Sequence, residues 1–143
     1  MVVKEPRVRR RSVCPLNASV EMLGDRWSLL ILRDMMLRGF CNYQQFLDSH
    51  EKIATNVLAD RLRKLEESGI IAPAQDPADG RKRIYSLTAK GIDLAPVLTE
   101  LALWASRHEK TGNQPLIQRM KQDKQQFLAE IRQRWEEKSS SSV

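Results

Sequence analysis

Apolar residues recur along most of this chain at intervals of three and four, the period of a helix with one buried face. "PLNASVEML" predicts a short helix broken near Gly24. "RWSLLILRDMMLR" predicts a longer one, with Leu23, Trp27, Leu30, Ile31 and Met35 as core. Asp25 stands where its N-cap belongs, and Gly39 where it should stop. Asn42 can cap "YQQFLDS", with Tyr43, Phe46 and Leu47 facing inward. A turn through "HEKIA" leads into "TNVLADRLRKLEESGII", where Leu58, Leu62 and Leu65 line one face up to Gly69.

The period then changes to two. "IIAPAQ" and "RKRIYSLT" read as strands around "DPADG", whose Asp79-Gly80 pair is a strong turn signal. Alternation puts Arg83, Tyr85 and Leu87 on one face, with Tyr85 and Leu87 inward, and Lys82, Ile84 and Ser86 on the other. Thr88 can cap a helix over roughly 89–109, striped with Leu94, Leu98, Leu101 and Trp104. Gly112-Asn113 breaks it. Pro115 suits the first turn of a last helix over about 115–137, with Leu116, Met120, Phe127, Ile131 and Trp135 at helical spacing.

The expected fold class is mainly α with a small β-hairpin (α+β). Short helices followed at once by a hairpin and further helices make the winged helix-turn-helix plan. Residues 1–13 read as a basic flexible arm, 14–109 as the winged domain, 110–138 as a C-terminal dimerisation helix and 139–143 as a disordered tail. There is no internal repeat.

Composition narrows the class. Apolar residues make up 41% and charged residues 29% of the 143, which suits a globular chain rather than a disordered one. No apolar run reaches the roughly 20 residues a membrane helix needs, and "MVVKEPRVRRRSV" has no apolar core of a secretory signal. Two cysteines are too few for a disulfide scaffold, so a reducing, cytoplasmic location is expected. The net charge of +6 is local. Residues 1–13 hold five Lys/Arg against one Glu, and residues 76–91 hold four against two Asp/Glu, while 14–75 hold seven against eight. Such basic points suit an acidic polymer such as DNA.

The helix beginning at Thr55 has a second face. At 100° per residue the leucines cluster at about 280–340°, while Thr55, Asn56, Ala59, Asp60 and Arg63 span about 0–140°. Asn pairs with adenine edges, Arg with guanine, and an alanine or threonine methyl with thymine. Asp60 can accept from a cytosine amine or hold Arg63 in place. Lys64, at the rim, suits a phosphate. Arg61 lies beside the core face, where a structural ion pair competes. A solvated amphipathic helix is the bland alternative; the short helix before it and the hairpin after it favour DNA. Arg81, Lys82 and Arg83 follow the turn, and the first two can reach a minor groove or phosphates. The alternative there is an edge strand guarded by charge.

These residues resemble the HxlR family of bacterial winged-helix regulators, a branch near the MarR type. The resemblance rests on "CPLNASVEMLGDRWSLLILRDMMLRG", "YQQFLDS", "IATNVLADRLRKLEESGII" and "RIYSLTAKG", spanning residues 14 to about 108. Cys-Pro, Gly-x-x-Trp, Leu-x-x-Arg-Leu-x-x-Leu-Glu and Tyr-Ser-Leu-Thr-x-x-Gly make the combination specific. It implies a homodimeric transcriptional regulator, a repressor or an activator, bound to palindromic double-stranded operator DNA, and a dimer interface built by the first helix and the helices after the wing. Leu98, Leu101, Trp104, Met120, Phe127 and Ile131 are the interface candidates; packing on their own domain is the alternative. Ala54 stands where the family often has Ser or Thr, so Thr55 is expected to cap instead, moving the helix start by one residue. The segment 113–137 runs past the family's usual end and is assigned to extra dimer contact or to the wall of an effector pocket.

Some members of the family sense oxidants, quinones or aldehydes through a cysteine at the position matching Cys14. Here Cys14 follows arginines at 9, 10 and 11, and positive charge favours the reactive thiolate. A small-molecule or redox effector is thus a further expected partner, and a structural cysteine at a helix start is the alternative. Cys41 reads as structural. An enzyme is not expected. His50 and His108 lack metal-ligand spacing with either cysteine, and no phosphate-binding, dinucleotide or nucleophile-elbow motif is present. No cofactor is expected. The competing function is a non-catalytic protein-interaction module on a winged-helix scaffold.

Overall fold

The computed structural model describes residues 12–140, so most of the expected basic arm and residues 141–143 lie outside the described part. The chain forms two compact units that divide between residues 88 and 89, within the span 14–109 expected to be one domain.

The first unit contains α1 (Pro15–Leu23), α2 (Arg26–Leu37), α3 (Tyr43–Leu47), α4 (Thr55–Glu67), β1 (Ile71–Gln75) and β2 (Arg83–Leu87). Asp25 caps α2 by accepting from the Ser28 amide at 3.0 Å. Asn42 and Gln45 form a reciprocal capping box at the start of α3. Helix α2 packs on α4, α3 packs on α4, and α4 packs on β1. Leu32, Phe46, Leu58, Leu62, Leu65, Ile70 and Ile71 are the fully buried apolar side chains at their centre. The expected core of α2 is corrected in part. Leu23, Ile31 and Met35 are buried, but Trp27 and Leu30 are only half-buried, and Leu32 and Met36 take their place. The buried arc of α2 also takes in Ser28 and Asp34 and is wider than a single stripe. Tyr43 and Leu47 are likewise half-buried, while Phe46 is fully inside.

The hairpin pairs antiparallel, Ile71 opposite Leu87 and Gln75 opposite Arg83. On its other edge β2 meets the chain before α3: Ile84 bridges Asn42, and the Tyr85 amide donates to the Cys41 carbonyl at 2.7 Å. The Tyr85 amide therefore points away from Pro73, its partner in β1, so the missing N–H of proline breaks no ladder bond. The second strand begins at Arg83, later than expected. Arg81 and Lys82 sit in the connection, where the Asp76 and Asp79 carboxylates accept from the amides of Ala78 and Arg81. Of the two residues expected inward, Leu87 is buried, while Tyr85 is only half-buried, as is Ile84 on the other face. Thr88 closes the unit by donating its hydroxyl to the carbonyls of Gly69 and Ile70.

The second unit contains α5 (Ala89–Ile92), α6 (Ala95–His108), α7 (Gln114–Gln122) and α8 (Lys124–Ser140). The single helix expected over 89–109 is two. Pro96 sits in the first turn of α6, and in a continuous helix its ring would clash with the carbonyl four residues back. The single helix expected over 115–137 is also two. Asp123 leaves helical conformation, with φ −153° and ψ 89°, and its side chain accepts from the Gln126 amide. Helices α6, α7 and α8 all pack on one another. Arg132 pairs with Asp93, and Lys124 with Glu100. Helix α8 runs to Ser140, so Ser139 and Ser140 are helical rather than a frayed tail.

Candidate nucleic-acid interface

Helix α4 supplies the two faces its sequence predicts. Leu58, Leu62 and Leu65 are sealed from solvent, while Thr55, Asn56, Ala59, Arg63 and Lys64 are exposed and Asp60 is half-exposed. The expected shift of the helix start is corrected: Ala54 is the N-cap residue, without a side-chain cap, and Thr55 is the first helical residue. The Tyr43 hydroxyl donates to the Thr55 carbonyl at 2.7 Å, tying α3 to the entry of α4.

The cations of this face are held by carboxylates. Arg63 donates from one terminal nitrogen to Asp60 Oδ1 at 2.7 Å and from the other to Glu67 Oε1 at 3.0 Å. Lys64 lies 3.3 Å from the second Asp60 oxygen, which also accepts from Arg61. Arg61 in turn donates from Nε to Asp25 at 3.0 Å, the structural ion pair anticipated for it. The hydrogen bond from Arg63, with those from Lys64 and Arg61, holds the Asp60 carboxyl below the usual carboxylate range. At Asp25 burial works the other way, but the hydrogen bonds from Ser28 and Arg61 outweigh it and the net shift is downward. The pairs around Arg63 and Lys64 are exposed, so each adds little to the stability of the fold.

The three wing cations part company. Arg83 donates to Glu66 at 2.9 Å and lies over the Tyr85 ring, so it pins the hairpin to α4. Arg81 is almost wholly exposed, with only a 3.7 Å approach to Asp79. Lys82 is exposed too, and among the described residues it forms no ion pair. The spacing of Asp60 and Glu67 from Arg63, three and four residues, was a readable sign of the clamp. A second network was not foreseen. Arg33 meets Glu51 and Asp34, and Ser49 donates to Asp34 at 2.8 Å. It braces the turn that enters α4, in which Lys52 adopts a left-handed φ of 59°.

The candidate dimer residues also divide. Leu101 and Trp104 are 47% and 57% exposed and share one side of α6 with Val97, while Leu98 is half-buried. Met120, Phe127 and Ile131 are corrected: each is buried within the chain itself, because α7 and α8 fold against α6 instead of extending as one rod. Cys14 is exposed at the start of α1, with its amide donating to Ser12 Oγ. The arginines at 9, 10 and 11 lie outside the described residues. Cys41 is half-buried; its amide donates to the Gln45 side chain and its carbonyl accepts from the Tyr85 amide of β2. Among the described residues no group of His, Cys, Asp and Glu is placed to hold a metal, and no helix is long and apolar enough to cross a membrane.

Comparison with known proteins agrees with this geometry. The family described as HxlR-like helix-turn-helix matches residues 22–113. The HTH-type transcriptional regulator sll1512 of Synechocystis is 36% identical over 94 residues, 66% of this chain and 69% of its own length. YodB, an HTH-type transcriptional regulator of Bacillus subtilis, is 30% identical over 103 residues, 71% of this chain and 91% of its own. The solved reduced form of YodB superposes with a TM-score of 0.57, covering 71% of this chain and all of that one, and the diamide-treated form with 0.52 over the same shares. The solved structure of PA1607 gives 0.65 at 32% identity, covering 73% and 71%. Helices α7 and α8 lie beyond the family match.

Proposed function

The chain belongs to the HxlR-like helix-turn-helix family and is a transcriptional regulator of HxlR/MarR type, and from that premise we propose that it acts as a homodimer on palindromic operator DNA. Helix α4 enters the major groove and the wing reaches the flanking backbone. Thr55, Asn56, Ala59, Asp60 and Arg63 face base edges; Lys64, Arg81 and Lys82 contact phosphates, and Arg83 holds the wing against α4. The observation that carries this reading is the division of α4, with three leucines sealed and the opposite polar face open. Two half-sites need two copies, and the exposed stripe of Val97, Leu101 and Trp104 is an apolar surface for the second copy.

Cys14 is the proposed sensor. Its exposure gives oxidants and electrophiles access. A relative solved both reduced and after diamide supports thiol chemistry as the kind of signal. The deciding experiment is a mobility-shift titration after selection of bound duplexes. Replacing Asn56 and Arg63 together with alanine should abolish preference for the selected palindrome while weaker, salt-sensitive binding persists. Full preference in that variant would refute the assignment of α4. Failure of the intact protein to bind any duplex at moderate salt, with tight capture of a partner protein, would favour an interaction module.

A further inference from the structure

We propose that Asp60 and Glu67 are positioning residues that present the Arg63 guanidinium to the edge of a guanine, making one G·C pair in each half-site the base pair this regulator discriminates most through Arg63. The inference rests on the DNA-binding reading above and names what that surface recognises.

Arginine reads guanine by placing two parallel N–H groups on O6 and N7. An exposed arginine normally samples many rotamers and loses that freedom on binding. Here the freedom is already reduced. One carboxylate sits three residues before Arg63 and another four residues after it, and each takes one terminal nitrogen, at 2.7 and 3.0 Å. Each terminal nitrogen carries two hydrogens, so one on each remains for a ligand. Asp60 is itself anchored. Its other oxygen accepts from Arg61, whose Nε is bound to Asp25, the cap of α2. A line of alternating charge thus runs from the body of the domain to the reading surface: Asp25, Arg61, Asp60, Arg63, Glu67.

The same carboxylates disfavour a second role for Arg63. A phosphate brought to this guanidinium would lie beside two carboxylates of its own sign, whereas the edge of a base carries no net charge. The clamp therefore trades general DNA affinity for selection of a base.

The test uses the intact protein, a duplex selected from a randomised library, and a set of duplexes changing each base pair singly, all titrated at one salt concentration. The intact protein should lose about 5- to 150-fold in affinity when one G·C pair per half-site is changed. Arg63→Ala should flatten discrimination at that pair alone. Asp60→Asn and Glu67→Gln, made separately, should reduce discrimination at the same pair by several-fold while binding all duplexes as tightly or more tightly. A merely structural loss would lower affinity throughout and not separate affinity from selectivity. If Arg63→Ala weakens every duplex equally, Arg63 is a phosphate contact and the proposal falls. It falls too if both carboxamide variants keep full discrimination. Either result leaves the DNA-binding reading standing; absence of any duplex binding by the intact protein would end both.

Discussion

The two terminal nitrogens of Arg33 meet the two carboxylate oxygens of Glu51, at 2.7 and 2.8 Å. The pair joins α2 to the turn that enters α4. Arg33 also donates to buried Asp34, and Asp34 accepts from Ser49 in the same turn. A bidentate pair of this kind fixes orientation as well as distance. The turn that enters α4 is therefore tied to α2 by residues away from the exposed polar face of α4.

The first prediction concerns acid. Arg33 holds the Glu51 carboxyl at about 2, against an ordinary value of 4.5. A depressed carboxylate adds stability above its unfolded value and loses it as pH falls, here from about 4.5 toward about 2. After solvent screening the expected contribution at neutral pH is on the order of 1–2 kcal/mol. Glu51→Gln should lower stability by that amount at pH 7 and by almost nothing below about pH 2. Urea unfolding at several pH values reads the difference; parallel curves for the two proteins would contradict it.

Gly24 gives the second prediction. A Cβ there would lie 2.3 Å from the Val20 carbonyl oxygen and 2.7 Å from Val20 Cγ1. The backbone φ is an ordinary −74°, so the demand for glycine is one of space and not of handedness. Gly24→Ala should cost about 1–3 kcal/mol, the usual range for forced overpacking. An unchanged unfolding midpoint would mean that the junction between α1 and α2 opens freely.

What was legible follows the range of the interactions. The caps at Asp25 and Asn42 and the sealed leucines of α4 depend on neighbours within a few residues, and each can be read from spacing. Pro96 was also a local sign, and it marks the break that a continuous leucine stripe concealed. Asp123 was not readable. One residue leaves the helix there while the apolar spacing on either side continues, so the fold-back of α8 is decided by packing against α6 and α7. That fold-back is why Met120, Phe127 and Ile131 are core residues. The ties from Arg33 to Glu51 and from Arg61 to Asp25 span 18 and 36 residues, beyond the reach of any periodicity. On the exposed polar face of α4 the residue types were legible, as was the hold of Asp60 on Arg63, while the tie of Arg83 to Glu66 joins two elements and was not.

The wing predicts a salt signature. Arg81 and Lys82 are exposed in the connection between the strands, whereas Arg83 is held by Glu66. Alanine at Arg81 or Lys82 should make the fall of affinity with salt shallower by about one unit per phosphate contact removed, with base preference unchanged. Arg83→Ala should change the slope less and loosen the hairpin instead. Titrations at four salt concentrations separate the cases; equal slopes for all four proteins would remove the wing from the interface.

The helices after the wing predict two different failures. Leu101 and Trp104 are open on α6, so Leu101→Glu or Trp104→Glu should shift the protein from dimer to monomer in sedimentation at micromolar concentration, with little loss of fold. Met120→Ala removes a buried side chain and should cost about 2–5 kcal/mol of stability, whatever the oligomeric state. A dimer that survives both glutamate substitutions would place the contact elsewhere, with the exposed Leu16 and Val20 of α1 as the next surface to change.

Cys14 gives the last prediction. Its thiol is exposed, and Val13 and Leu16 beside it are exposed as well, so a modification there alters a surface rather than a core. Cys41 is half-buried and bonded through its backbone to the strand behind it, which makes it the internal control. Diamide joins two thiols as a disulfide and takes up their electrons and protons. The second thiol comes from glutathione or from another copy of the protein. Oxidation of the intact protein should therefore change its affinity for the operator, and a thiol reductant should restore it. Cys14→Ser should bind the operator as the intact protein does and ignore diamide, while Cys41→Ser should still respond. A response that survives in Cys14→Ser and disappears in Cys41→Ser would move the sensor to the turn before α3, where the Cys41 carbonyl holds the centre of the wing.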